Sequence, residues 1–217
     1  MNSEALKSQT EFPLPWKEVG VRLFNTGKRF NREWIFRHLS YEFVPGKSYA
    51  ITGPNGSGKS TLLQVIAGSL TYNEGNIEYS QSSADDQYKY ISIAAPYLEL
   101  IEEMTGNEFL SFHSSFKPLS IKKEEALEIV HLQKAGNKEI RYFSSGMKQR
   151  LKLAQAFFTN TPVLLLDEPT TNLDTDGIAL YHQLINNYAK EKLVIVSSND
   201  KQEYDFCEEV IEIGKYK

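Results

Sequence analysis

The run Gly53-Pro54-Asn55-Gly56-Ser57-Gly58-Lys59-Ser60-Thr61 constrains this chain more than any other feature. It matches G-x-x-x-x-G-K-[ST], a spacing in which glycines let consecutive backbone N–H groups turn inward around an anion without Cβ clashes. An apolar strand is expected just before it, over Tyr49–Thr52. A helix is expected from Lys59, burying Leu62, Leu63 and Ile66 and stopping at Gly68. That helix would turn the positive end of its dipole toward the anion. Lys59 would then reach the β- and γ-phosphates of a nucleotide, and the Ser60 hydroxyl would ligate Mg2+.

A second signal lies downstream. Val163–Leu166 is a continuous apolar run of the kind buried on both faces of a parallel sheet, and it ends in Asp167-Glu168. Beside a phosphate loop, Asp167 can hold Mg2+ directly or through water. Glu168 would face the γ-phosphate and act as general base toward an attacking water. Taken alone, the two carboxylates could equally solvate a strand end; the phosphate loop upstream favours the functional reading.

The remaining pattern frames these two segments. Val19–Phe24 and Leu39–Phe43 read as strands, with Leu39, Tyr41 and Phe43 on one face at period two; Asn76–Tyr79 and Tyr90–Ala94 are further candidates. From Tyr97 to Asn160 the periodicity is helical, predicting helices over Glu108–Phe116, Ile121–Gln133 and Gly146–Thr159. Ile178, Tyr181, Leu184, Ile185 and Tyr188 share a helical face, Leu193–Ser197 reads as a buried strand, and Val210–Ile213 closes the sheet. Strand–helix alternation broken by a helical insert predicts an α/β core with a helical lobe. One domain is expected, as 217 residues allow: an arm over residues 1–16 ending near Trp16, a nucleotide-binding core over 17–95 and 161–217, and a helical subdomain over 96–160.

Composition narrows the function class. A formal net charge of −4 argues against a sequence-independent nucleic-acid binder, so no direct nucleic acid is expected. The single cysteine, Cys207, cannot close an internal disulfide and suits a reducing compartment, as a small core residue. No segment approaches the ~18 consecutive apolar residues of a membrane span, and the first fifteen residues lack the apolar run of a secretory signal. A cytoplasmic protein is expected, with any membrane association made through a partner.

Between the phosphate loop and the acidic strand stands Phe143-Ser144-Ser145-Gly146-Met147-Lys148-Gln149-Arg150. With all three segments in this order, the chain resembles the ATP-binding cassette (ABC) ATPase family from about Val19 to Lys217, and in particular the ATP-binding subunit of a bacterial transporter. The resemblance implies a P-loop NTPase (RecA-like) core with a mainly parallel sheet, a small antiparallel β-subdomain and an inserted helical subdomain. It implies that Ser144, Ser145, Gly146 and Met147 form a signature motif acting in trans, opening a helix toward the γ-phosphate held by a second cassette. Thr171-Asn172-Leu173-Asp174 resembles the D-loop of the dimer seam, and Phe30 stands where an aromatic usually stacks on adenine. Serine before a helix is also a plain N-cap, and Asp174 alone would be a helix cap.

Three positions depart from the family pattern. After Tyr90–Ala94 comes Ala95-Pro96-Tyr97 with no glutamine, although one usually ligates Mg2+ and senses the membrane partner there. Asn199 occupies the position of the switch histidine; it can donate a neutral hydrogen bond to the γ-phosphate but cannot become cationic. Met147 replaces the glutamine of the signature. Slow Mg-dependent ATP hydrolysis is therefore expected, with Glu168, Lys59 and Asn199 as catalytic groups and ATP-driven dimerisation retained. The resemblance implies a homodimer or a pair with a paralogous cassette, driving an integral-membrane permease through the lobe over residues 95–160. A soluble ATP-dependent switch that regulates a partner without transport is the alternative.

Overall fold

The computed structural model describes residues 19–80 and 87–217, so the arm expected over residues 1–16 lies outside the described residues. Two sheets divide the chain by the chemistry of their strands. Half-polar strands make the smaller, antiparallel sheet: β1 (Val21–Phe30), β2 (Glu33–Phe43) and β4 (Glu74–Tyr79), in spatial order β2-β1-β4. Apolar strands make the larger one: β3 (Ser48–Thr52), β5 (Ile91–Ala94), β6 (Val163–Asp167), β7 (Leu193–Ser197) and β8 (Glu209–Glu212). Its order is β5-β6-β7-β3-β8, and every pairing in it is parallel.

Why β6 and β7 read as unbroken apolar runs is clear from what covers them. Leu164, Leu166, Val194 and Val196 face one core, together with α4 (Ser145–Phe158) and α5 (Thr175–Tyr188). Val163, Leu165, Leu193 and Ile195 face the other, with α1 (Lys59–Ile66) and the antiparallel sheet. A strand with two buried faces has no polar face, so period two disappears from its sequence. The helical lobe adds α2 (Gly106–Ser114) and α3 (Lys123–Ile129) beside α4.

Several element bounds differ from expectation, each for a local reason. The strand read as Val19–Phe24 begins at Val21 and continues to Phe30, and Leu39–Phe43 is only the second half of β2. Their pairing is interrupted by register shifts between Leu23 and Thr26, Thr26 and Lys28, and Lys28 and Arg29. Each such bulge turns the strand and erases its alternation. The helix α3 ends at Ile129 rather than Gln133, because His131 adopts φ 59° and closes the terminus: His131 N–H donates to Glu128 O (3.0 Å) and Leu132 N–H to Leu127 O (2.7 Å). The same two-bond cap ends α1, with Gly68 at φ 73° in the left-handed position, as its glycine predicts. The helix α2 starts two residues earlier than expected, at a reciprocal capping box between Thr105 and Glu108. Cys207 is half-buried at the edge of the core, and burial raises its thiol pKa to about 12, leaving it protonated.

Candidate functional site

The parallel sheet brings three chain segments to one edge. The register Ile51↔Ser197 and Asp167↔Ser197 aligns the ends of β3, β7 and β6 side by side. From those ends emerge the phosphate loop, the Asn199 segment and Asp167-Glu168. Segments far apart in the sequence, Gly53 and Asp167 among them, thus become spatial neighbours by strand pairing alone.

The phosphate loop is shaped by backbone that ordinary side chains resist. Gly58, the residue before α1, has φ 104°, and a Cβ there would lie 2.4 Å from Ile35 Cγ2 of β2. Glycine is therefore required both for the torsion and for the approach of the hairpin. Pro54 O accepts from Ser57 N–H at 3.0 Å, closing the turn. Lys59 is buried, and its ammonium donates to Gly53 O at 2.7 Å, so it lies across the mouth of the loop. Pro54, Asn55 and Gly56 are exposed at the rim, with Ser60 and Thr61 half-buried behind them.

Asp167 is buried where β6 ends, and Glu168 is exposed one residue on. Burial raises the Asp167 pKa; the Ser60 and Ser197 hydroxyls and the Lys59 charge oppose that, while Glu168 adds to it. Although those hydroxyls approach, Oδ1 of Asp167 and Oγ of Ser197 complete no hydrogen bond, and neither does the buried Oγ of Ser57. Buried oxygens without partners are costly (about 1–3 kcal/mol each) and mark a place built for something else to bind. Glu168 itself sits at φ 42°, a left-handed torsion that costs about 1–3 kcal/mol for such a residue. Its N–H donates to Ser197 O at 2.9 Å and its carbonyl accepts from Thr171 N–H at 3.1 Å, which holds the turn.

Asn199 bridges the site from the β7 side. Its Oδ1 accepts from Gly53 N–H at 3.3 Å, and its amide donates to Asn55 Oδ1 at 3.1 Å. Tyr97 stands in the segment that lacks the glutamine. Its hydroxyl lies beside Gln64 of α1, and burial together with the Asp167 charge raises its pKa to about 12. Sequence reasoning passed over Tyr97, since an aromatic after a proline carries no signal of its own.

Ser144-Ser145-Gly146-Met147 stand apart from this cluster. The Ser144 Oγ caps α4 by accepting from Met147 N–H at 3.2 Å. With Arg150, Asn172 and Asp174 these residues line a separate concavity of 390 Å³. A Cβ on Gly146 would lie 3.1 Å from Asn172 O, so the helix start is packed directly on the loop before α5. Asp174 caps α5 through Gly177 N–H at 2.8 Å and pairs with Arg150 at 2.9 Å. Among the described residues no hydrogen bond joins this concavity to the phosphate loop. Phe30 is exposed at the tip of the β1–β2 hairpin, paired with Glu33, two residues from the Ile35 side chain that touches Gly58. The Lys28 ammonium lies 4.9 Å from its ring centre.

Residues 36–171 match the family model of the ABC transporter. An uncharacterized ABC transporter ATP-binding protein of Bacillus subtilis, YybJ, is 28% identical over 201 residues, covering 89% of this chain and 92% of its own length. The lantibiotic transport ATP-binding protein SrtF of Streptococcus pyogenes is 30% identical over 188 residues, 82% of this chain and 79% of SrtF. The chain spans only 64% of YxlF from Bacillus subtilis and 59% of the sulfate/thiosulfate import ATP-binding protein CysA of Mesostigma viride. Among solved structures, a putative ABC transporter ATP-binding protein from Pyrococcus furiosus has a TM-score of 0.78 at 21% identity, covering 91% of this chain and 98% of that one. A dimeric ATP-binding cassette, MJ0796, bound to ADP and Pi, has a TM-score of 0.76 at 24% identity, covering 89% and 95%. With that family model matching well over half of its length and transporter ATP-binding proteins among its relatives, the chain belongs to the ABC transporter family, as an ATP-binding cassette ATPase.

Proposed function

We propose that two cassettes close face to face around two ATP molecules and that hydrolysis drives a membrane permease. The observation that carries this reading is the separation of two half-sites on one chain. Phosphate loop, Asp167, Glu168 and Asn199 form one cluster, while Ser144, Ser145 and Gly146 open a second concavity with no bond to the first. A second copy, or a paralogue, completes each site by setting the amino end of its α4 against the γ-phosphate, where the free first-turn N–H groups and the helix dipole favour negative charge.

The oxygens at Ser60 and Asp167 suit a hard cation, and Mg2+ is the ion that fits. No cluster of three or more acidic, histidine or cysteine ligands exists among the described residues. The remaining ligands are then phosphate oxygens and waters, the arrangement Mg2+ favours. Bound there, the ion neutralises charge on the phosphates. The loop amides and Lys59 orient the β- and γ-phosphates. Glu168 accepts the proton of the attacking water. Asn199 supplies a neutral hydrogen bond to the γ-phosphate, which stabilises the transition state less than a cationic donor would, so turnover is slow. Phe30 stacks on adenine, supported by its exposed place on the hairpin that abuts the loop.

In the helical lobe, a groove of 690 Å³ is lined by Glu99, Glu102, Glu103, Lys148 and Lys152, with Lys148 and Glu102 joined as an ion pair. It lies on the segment that follows β5, so a permease seated there would reach the nucleotide site through Pro96 and Tyr97. No helix of the described residues is long and apolar enough to cross a membrane; in this reading the permease supplies the span.

The test is steady-state ATPase activity with Mg2+ beside Glu168→Gln, with light scattering to follow dimers. Loss of about 10²-fold or more in kcat, with ATP now holding the dimer, is expected. Wild-type activity in Glu168→Gln would remove Glu168 from its role, and monomers at saturating ATP in both proteins would sink the two-cassette site.

A further inference from the structure

Glu203 is a carboxylate only 3% exposed, outside the set of groups assigned above. It lies in the short 3-10 turn Lys201–Glu203, four residues after Asn199. One oxygen, Oε1, accepts two hydrogen bonds from a single residue: Thr170 N–H at 2.7 Å and Thr170 Oγ–H at 2.5 Å. Its own carbonyl accepts from the buried Tyr181 hydroxyl of α5 at 2.6 Å. Thr170 is two residues after Glu168. The carboxylate therefore ties the segment after β7 to the loop after β6, at a point where no backbone pairing does so.

That loop is gripped from the other side as well. Gln149 of α4, buried like Glu203, donates its amide to Pro169 O at 2.7 Å. Pro169 and Thr170 are thus pinned by side chains from two different segments, immediately after a residue held at φ 42°. A left-handed glutamate persists only where its surroundings over-determine it. The bond from Glu168 N–H to Ser197 O fixes one end of the turn. Glu203 and Gln149 fix the other.

We infer that Glu203 is a positioning residue for the hydrolytic step: its bonds to Thr170 hold Glu168 in the torsion that aims the carboxylate at the attacking water. This rests on the reading of Glu168 as general base. The same carboxylate sits on the Asn199 segment, so the Glu203–Thr170 pair adds a second tie between that segment and the base, beside the Glu168 N–H bond to Ser197 O. ATP binding, made by the phosphate loop and the hairpin, does not use this link.

The experiment compares Glu203→Ala, Glu203→Gln and Thr170→Val in the full chain, and Glu203→Ala again in the Glu168→Gln background. For each, the binding of a fluorescent ATP analogue is titrated, and kcat is expressed per nucleotide-binding site, so that any unfolded fraction cancels. Glu203→Ala is expected to lower kcat about tenfold or more with nucleotide Kd within about twofold. Glu203→Gln retains a carbonyl oxygen able to accept both bonds and should restore most of kcat. Thr170→Val, which keeps the N–H and loses the hydroxyl, should fall between them. In the Glu168→Gln background Glu203→Ala should change the residual rate little, because both act through one group. The inference is overturned if kcat per site is unchanged in Glu203→Ala, if Glu203→Gln is as damaged as alanine, or if the losses add in the double variant. Should Glu168→Gln alone leave kcat intact, the base assignment fails instead, and that result is independent of all three.

Discussion

At Asn199, chemistry and geometry pull in different directions. The side chain is well placed, bonded to both Gly53 and Asn55 of the phosphate loop. Yet an amide carries no charge, and charge-assisted donors are about twice as strong. Asn199→His is expected to raise kcat about tenfold, with the gain largest below about pH 6.5, where imidazole is protonated. A pH series of kcat for both proteins checks this; equal rates at every pH would mean the amide already does what the site needs. The candidate site residues legible in the sequence are those whose spacing itself carries a signal: the loop Gly53–Thr61, the acidic pair, and the serine-glycine step at Ser144–Gly146. Tyr97, Gln149 and Glu203 were not, because the groups each one meets lie far away in the chain. Nothing in the local sequence around Glu203 announces Thr170, and only the fold makes them neighbours.

Among elements, the same contrast separates the parallel sheet from the hairpin. Strands β6 and β7 were readable because burial on two faces leaves an apolar run with no competing explanation. The hairpin β1–β2 was half-hidden, since its bulges break alternation, and α3 was read too long because a histidine occupies the left-handed cap where glycine would have signalled an end. The lobe is tied together by another histidine. His113 of α2 bonds through Nε2 to Thr159 Oγ1, just past α4, at 2.8 Å. Burial, with a smaller effect from Lys117, lowers its pKa from 6.5 to about 4. Unfolding lets His113 take up a proton that the folded lobe refuses, so between pH 6.5 and 4 the unfolded chain binds more protons. The contribution of His113 is thus complete above 6.5 and lost as pH falls toward 4. Allowing for the screening of a side chain that is partly exposed, the loss is about 1–2 kcal/mol. Urea unfolding of wild type and His113→Gln at pH 7.5 and 5 should show the wild type losing that much more than the variant; parallel losses would show that His113 is not what senses pH.

On the scale of the whole molecule, one chain carries two candidate half-sites, and no hydrogen bond joins them among the described residues. Its order of segments was legible because each motif has a fixed place between strands, whereas the distance between the two half-sites only appears once the sheet is assembled. That separation makes a prediction that no single-chain mechanism shares. Lys59→Ala disables a phosphate loop, and Gly146→Asp places a carboxylate against the Asn172 carbonyl and toward the γ-phosphate. Each variant alone has two defective sites per dimer and should be nearly inactive. Mixed together, a Lys59→Ala chain and a Gly146→Asp chain form one site with both defects and one with neither, the latter using the intact loop of one chain and the intact signature of the other. Random pairing makes about half the dimers mixed, each with one of its two sites intact, so activity should return to about a quarter of wild type. ATPase assays of the two variants, separately and mixed at equal concentration, decide the matter. If each chain carried its own complete site, mixing would restore nothing, because every site would still sit on a chain bearing its own defect.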